Sequence, residues 1–284
     1  MMNRGPETYG IGRERENILP ELLIFEKKLA KEPVDIKEGI YYFDAHNHGD
    51  WFDEEDIAEW DNGRLESNWK KQTFLKNPVT KKLIETIVAN EKEVIDLACG
   101  PGMGLIPSVK QLNPAFHCTA TDASAMVLEH WKQYLDRYCM DHGVGFAQFS
   151  VLDMPFKENS VPSFSSNIGL SSTRNGKAGY DAAVKEVYRC LESGGYLYAI
   201  ESEWIDVAVI LQVFERWGQE PWTCFAEEHM SWHDRFVRAG FEIISEEIVQ
   251  HRIFTAEDNE LGEASERFGI QVGTKETAFV LRKC

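Results

Sequence analysis

The run Val94-Ile95-Asp96-Leu97-Ala98-Cys99-Gly100-Pro101-Gly102-Met103-Gly104 constrains this chain more than any other stretch. A short apolar strand enters a loop with glycines at alternate positions. A helix-compatible segment follows over about 105–112. Glycine suits such a loop because a side chain would keep a ligand away from the backbone. Ligands of doubly wound sheets lie outside the carboxyl ends of the strands, where this loop would sit. Taken alone, the loop is shared by many nucleotide-binding folds.

The rest of the chain repeats that texture. Strand-like runs follow at FHCTATDAS, GFAQFSVLDMPF, VPSFSSNIGL and YLYAIES, the third weakened at its start by Pro162. Helical patterns fall between them, over about 105–112, 124–141 and 178–192. Strands and helices alternating at this spacing predict a parallel, doubly wound sheet. After Glu203 come helical stretches to about Trp217 and from about Ala226 to Ala239. FEIISEEIVQ and ETAFVLRK then read as two strands with no helix between them, an antiparallel end to the sheet. Ahead of the core, 14–32 reads as an amphipathic helix ended by Pro33, and Pro78 opens a helix through about Asn90.

The chain has 284 residues, so one α/β core with an extra lobe is expected. Lys plus Arg number 30 against 47 Asp plus Glu, a net charge of −17. Phosphate neutralisation dominates nucleic-acid affinity, so a polyanionic partner is not expected, and neither is an anionic membrane surface. No apolar run approaches the ~20 residues of a membrane span. Met1 to Glu16 lacks the apolar stretch of a signal peptide. The six cysteines form no C-x-x-C pair. A reduced, cytoplasmic protein without a metal site is the expectation.

Two carboxylates sharpen the loop. Asp122 ends the second strand, 22 positions after Gly100, where it can accept both hydroxyls of a ribose. Asp153 follows the third strand, placed to accept from an exocyclic adenine amine, with Met154 packing on the ring. With Asp96, three acids surround the ligand and no Lys or Arg lies in the loop. This set suits a cationic, phosphate-free nucleoside and suits a pyrophosphate poorly.

Asp96-Leu97-Ala98-Cys99-Gly100-Pro101-Gly102 resembles motif I of the class I S-adenosylmethionine-dependent methyltransferases. Thr121-Asp122-Ala123-Ser124 resembles their ribose-binding motif, and Leu152-Asp153-Met154-Pro155-Phe156 their adenine-site motif. Glu186 to Gly195 is similar to the helix and turn before their fifth strand, and Ala239-Gly240-Phe241 to the turn before the sixth. The resemblance covers roughly residues 80–284 and points to the small-molecule subgroup, which includes quinone-biosynthesis and sterol C-methyltransferases. It departs at Val161-Pro162-Ser163, where relatives start strand four with an aspartate, and at Ala98, usually glycine.

The resemblance implies a Rossmann-like α/β fold. Its sheet would be seven-stranded and mostly parallel with one antiparallel strand, under an N-terminal helical cap. The expected division is a cap or lid over 1–78 and a core over 79–284 with a helical insertion near 204–230. It implies S-adenosylmethionine as cofactor, S-adenosylhomocysteine as product, and Asp96, Ala98, Gly100, Gly102, Asp122, Ala123, Asp153, Met154 and Asn167 as cofactor contacts. The activity implied is in-line methyl transfer to a small molecule, with a non-catalytic binding protein and a dinucleotide oxidoreductase as alternatives. Asn167-Ile168-Gly169-Leu170 lacks the Asn-Pro-Pro-Tyr run of amide- and adenine-N-methylating relatives, which argues against those acceptors.

Other features have plainer readings. Asp44-Ala45-His46-Asn47-His48 invites a metal, but no barrel pattern follows. His46 and His48 are instead candidates to line an acceptor pocket, as general base if one is needed. Cys99 reads as a small packing residue, and His233 as part of a surface helix face together with His229. Tyr41, Trp51, Trp69, Trp204 and Trp222 are expected to wall the acceptor pocket, under a lid formed by 41–75. The acidic excess there favours a neutral or cationic acceptor. Oligomeric state is left open.

Overall fold

The computed structural model describes residues 28–44, 66–137, 143–173, 179–221 and 230–284. In chain order the first elements are β1 (Asp35–Lys37), β2 (Ile40–Tyr42), α1 (Thr73–Lys76) and α2 (Pro78–Asn90). Next come β3 (Glu93–Leu97), α3 (Ile106–Leu112), β4 (His117–Asp122), α4 (Ala125–Arg137), β5 (Val144–Gln148) and β6 (Val161–Asn167). Then follow α5 (Gly179–Cys190), β7 (Leu191–Trp204), α6 (Val207–Trp217) and α7 (Trp232–Ala239). The last are β8 (Phe241–Ile253), α8 (Glu260–Phe268) and β9 (Gly273–Lys283).

The strands form one sheet in the order β1-β2-β5-β4-β3-β6-β7-β9-β8. From β5 to β8 this is the expected doubly wound arrangement, with β9 antiparallel to both neighbours. The chain order reverses between β3 and β6, which pair in parallel. That reversal is where such sheets open a ligand crevice. Helices α2, α3 and α4 pack on one face and α5 and α7 on the other. A third cluster joins α6 to α8 through Ile210, Val213, Phe214 and Leu261.

Two expectations need correction. The sheet has nine strands among the described residues, not seven. The extra pair, β1 and β2, comes from the stretch assigned to a helical cap. A two-residue turn at Glu38 and Gly39, both at positive φ, folds β1 back on β2. β2 then extends the sheet by pairing in parallel with β5, burying Ile40 and Tyr41. Three residues are too short a run to show a period of two. The second correction is α8, where no helix was expected. Asn259 caps it by accepting from Gly262 N at 2.9 Å, and Gly269 ends it at φ 65°. Its buried residues are Leu261, Gly262, Ala264 and Ser265, small enough that no apolar stripe stands out in the sequence.

Pro162 does not prevent β6. The register shifts between Val161 and Ser163, which absorbs the missing donor. The expected helix over 14–32 lies mostly outside the described residues. Among the described residues no helix is long and apolar enough to cross a membrane.

Candidate cofactor site

The glycine loop closes on itself beyond the carboxyl end of β3. Cys99 N donates to Thr121 O at 2.7 Å, and Gly104 N to Cys99 O at 2.8 Å. Ala98, Gly100, Met103 and Gly104 all take positive φ, between 46° and 55°. Ala98 bears the usual αL penalty of a side chain, so the family's glycine there is the relaxed choice. A Cβ on Gly104 would lie 2.0 Å from Asp96 Oδ1, so only glycine fits. A Cβ on Gly100 would meet no atom within 4 Å among the described residues beyond its chain neighbours. The space above Gly100 is therefore open, as a bound ligand requires.

Asp122 borders that opening. Its Oδ2 accepts from Gly100 N and its Oδ1 from Ser124 N, both at 2.9 Å. Burial pushes its pKa up, against the pull of those amides. The carboxylate thus braces the loop with one lone pair on each oxygen and keeps others available to a diol. Ala123 is fixed beside it, since Gln148 Nε2 donates to Ala123 O at 2.8 Å. Asp96 is fully buried; its Oδ2 accepts from Leu105 N at 2.9 Å and Ser165 Oγ at 2.8 Å. Its Oδ1 has no hydrogen-bond partner among the described residues and lies against Gly104. Cys99 is buried with its thiol pKa driven up by desolvation, which fits packing and disfavours a thiolate.

The structure brings Asp96, Ala98, Gly100, Gly102, Asp122 and Ala123 together, with Asn167 ending the adjacent β6. Asp153 and Met154 stand differently. Asp153 lies in a turn, its side chain 78% exposed and paired with Lys31. Met154 is fully buried in the core beside Phe156 and Phe149. Glu186 accepts from Met154 N at 3.0 Å and Arg189 donates to Phe156 O at 2.9 Å, so α5 clamps this segment.

Several residues that shape the site carried no motif. Asn68 Nδ2 donates to Gly102 O at 2.9 Å, tying 66–70 to the loop. Trp131 Nε1 donates to Gly100 O at 3.0 Å, since a buried indole N–H needs an acceptor. Glu201 is fully buried and accepts from Ser166 Oγ, Ser171 Oγ and Ser171 N, holding the turn Leu170–Ser172. That turn touches the loop through Gly169, whose added Cβ would lie 2.4 Å from Leu97 O.

A cavity of about 480 Å³ opens on the far side of the turn, between Ile168, Ser171, Trp204, Trp232, Phe254 and Glu276. Of the five aromatics expected to wall a pocket, Trp204 does. Tyr41 is core in β2, and Trp69 packs against the α2–α4 cluster. Trp51, Trp222, His46, His48 and His229 lie outside the described residues, as does 45–65 of the expected lid. His233 sits on an exposed helix face against Glu246. Among the described residues no cluster of three or more His, Cys, Asp or Glu could hold a metal ion.

Burial raises the pKa of both Asp96 and Glu201 to about 7. Unfolded carboxyls titrate near 4, at about 3.9 and 4.3. The stabilising contribution is complete below that range and is lost as pH rises through about 7. Melting temperature is therefore expected to fall from about pH 4 to about pH 7 and to level off above that. The fall should be smaller in Glu201→Gln; an equal fall would contradict the buried-carboxylate origin.

The model of the ubiE/COQ5 methyltransferase family matches residues 67–227, more than half of the chain. The ubiquinone/menaquinone biosynthesis C-methyltransferase UbiE of Rhizobium rhizogenes is 26% identical over 126 residues, 44% of this chain and 47% of that protein. The demethylmenaquinone methyltransferase of Listeria welshimeri is 25% identical over 151 residues, 53% of this chain and 58% of that protein. The chain thus spans about half the length of the curated relatives it matches. The crystal structure of MccD protein superposes with a TM-score of 0.50 at 17% identity, covering 73% of this chain and 99% of that one. That likeness concerns the fold. The family match falls on the glycine loop, Asp122 and the strands that carry them, and the chain belongs to the ubiE/COQ5 family of S-adenosylmethionine-dependent methyltransferases.

Proposed function

We propose that this chain is an active methyltransferase that moves the methyl group of S-adenosylmethionine to a small-molecule acceptor. The carrying observation is the open space above Gly100, bordered by the Asp122 carboxylate. Gly100 and Gly102 would receive the amino-acid part of the cofactor. Asp122 and Ala123 would hold the ribose, and Asp153 and Met154 the adenine side. Asn167 and Ala98 border the reacting end, and Asp96 keeps the loop in shape. The cofactor when bound supplies an electrophilic methyl on sulfur, displaced in line by the acceptor. The protein's share is orientation and exclusion of water.

The acceptor would lie in the cavity lined by Ser171 and Ser172 of the turn Leu170–Ser172, next to Gly169, which packs against Leu97 of the loop strand. Residues 1–78 are proposed as a cap whose first strands extend the sheet, with His46 or His48 reaching the acceptor. The test is incubation with methyl-labelled S-adenosylmethionine and a small-molecule extract. Label in an extracted compound, with stoichiometric S-adenosylhomocysteine, is the expected result. Tight cofactor binding with no label transferred would make the chain a binding protein instead.

A further inference from the structure

Charge accounting in the cavity beyond the turn points to one class of acceptor. The volume of about 480 Å³ is in the range that takes a small molecule. Three of its lining side chains among the described residues are charged: Glu203, Arg252 and Glu276. Glu203 is neutralised, since Lys275 Nζ lies 2.8 Å from its Oε1 and Trp232 N donates to Oε2 at 2.8 Å. Arg252 is neutralised by Asp258 at 2.5 Å, and its guanidinium lies 5.5 Å from the centre of the Phe254 ring. Asp258 is itself held by Thr255 N and Thr255 Oγ1, which favours the Arg252–Asp258 pair. The Glu276 side chain has no ion pair or hydrogen bond among the described residues.

Position adds to charge. Ser202 on β7 pairs with Glu276 on β9, and Trp204 pairs with Thr274 in the next row of the same face. The Glu276 carboxylate, without a counter-charge among the described residues, therefore stands diagonal to an indole. Trp204 meets Phe254 edge-on, at 83° and 5.8 Å, which gives the cavity an aromatic corner. Aromatic faces and a single carboxylate are the usual means of holding an organic cation.

We propose that the cavity binds a small molecule with a flat apolar body and a protonated amine, the amine held by Glu276 and the body by Trp204 and Phe254. This deepens the methyltransferase reading and rests on it for the role of the bound molecule as acceptor. The ammonium has no lone pair, so as held it is the anchor, and the methyl goes to another atom of the body.

Three phenols sharing a two-carbon arm test the class: tyramine (a cation), 4-ethylphenol (neutral) and 3-(4-hydroxyphenyl)propionate (an anion). Binding is followed by calorimetry and tryptophan fluorescence, with and without saturating S-adenosylhomocysteine. Tyramine is expected to bind roughly fivefold more tightly than 4-ethylphenol, the size of one partly screened ion pair, and the anion weakest. In Glu276→Gln the preference for tyramine should vanish. In Glu215→Gln, which removes an exposed charge on α6, it should remain. Equal binding of the three, preference for the anion, no tyramine binding, or a preference that survives Glu276→Gln would overturn the proposal. A tyramine preference in a protein that fails to bind S-adenosylhomocysteine would keep the cavity assignment and remove the methyltransferase one.

Discussion

Gly104→Ala is expected to destabilise the fold by about 3 kcal/mol or more and to abolish cofactor binding. Two costs combine. The residue sits at φ 53°, where a side chain costs ~1–2 kcal/mol. The new Cβ would also fall 2.0 Å from Asp96 Oδ1 and 2.6 Å from its Cγ. Asp96 has no room to retreat, being fully buried between Leu105 N and Ser165 Oγ. Either the loop or the carboxylate must shift, and overpacking of this kind costs ~1–3 kcal/mol. Gly100→Ala is the comparison. It has the same sign of φ but open space around it, so its fold should lose only the αL penalty. Its cofactor affinity should still collapse, because the added methyl fills the space the ligand needs. Equal stability losses in the two variants, read from urea unfolding, would contradict this division.

Asp122→Ala is expected to weaken S-adenosylhomocysteine binding by roughly 1.5–3 kcal/mol, the range for hydrogen bonds to charged groups, or about 10- to 150-fold. Part of that loss is indirect. Without the carboxylate, Gly100 N and Ser124 N both lose their acceptor, and the loop loses its brace to β4. Asp122→Asn separates the two effects. An amide oxygen can still serve one backbone N–H, so the loop is largely kept while one acceptor for a diol is lost. Its affinity should fall between the wild type and Asp122→Ala. Wild-type affinity in a folded Asp122→Ala variant would remove Asp122 from the ribose site.

Much of this was legible from local patterns. The β3–loop–α3 unit announces itself because an apolar run, glycines needing positive φ and a helical segment occur within twenty residues. Asp122 is readable because a carboxylate directly after an apolar strand has few structural reasons to be there. Asp153 is less defined by its strand than Asp122: β5 ends at Gln148, and Asp153 follows in an exposed turn where it pairs with Lys31. Glu201 was hidden for another reason. It occupies an inward position of β7, and its partners Ser166 and Ser171 are 30 or more positions away, visible only once β6 and β7 pair. Asn68 and Trp131 reach the loop from elements with no motif of their own. The hairpin β1–β2 and helix α8 were missed because three-residue strands and a face of small side chains leave too little periodicity to detect.

The most direct test of the account is calorimetric titration of the whole chain with S-adenosylhomocysteine and, separately, with NAD. The loop offers backbone and a buried carboxylate but no Lys or Arg to meet a pyrophosphate. Saturable binding of S-adenosylhomocysteine, at least about 100-fold tighter than that of NAD, is predicted; this gap is about 2.7 kcal/mol, two factors of ten. NAD binding as tight as or tighter than S-adenosylhomocysteine would contradict it.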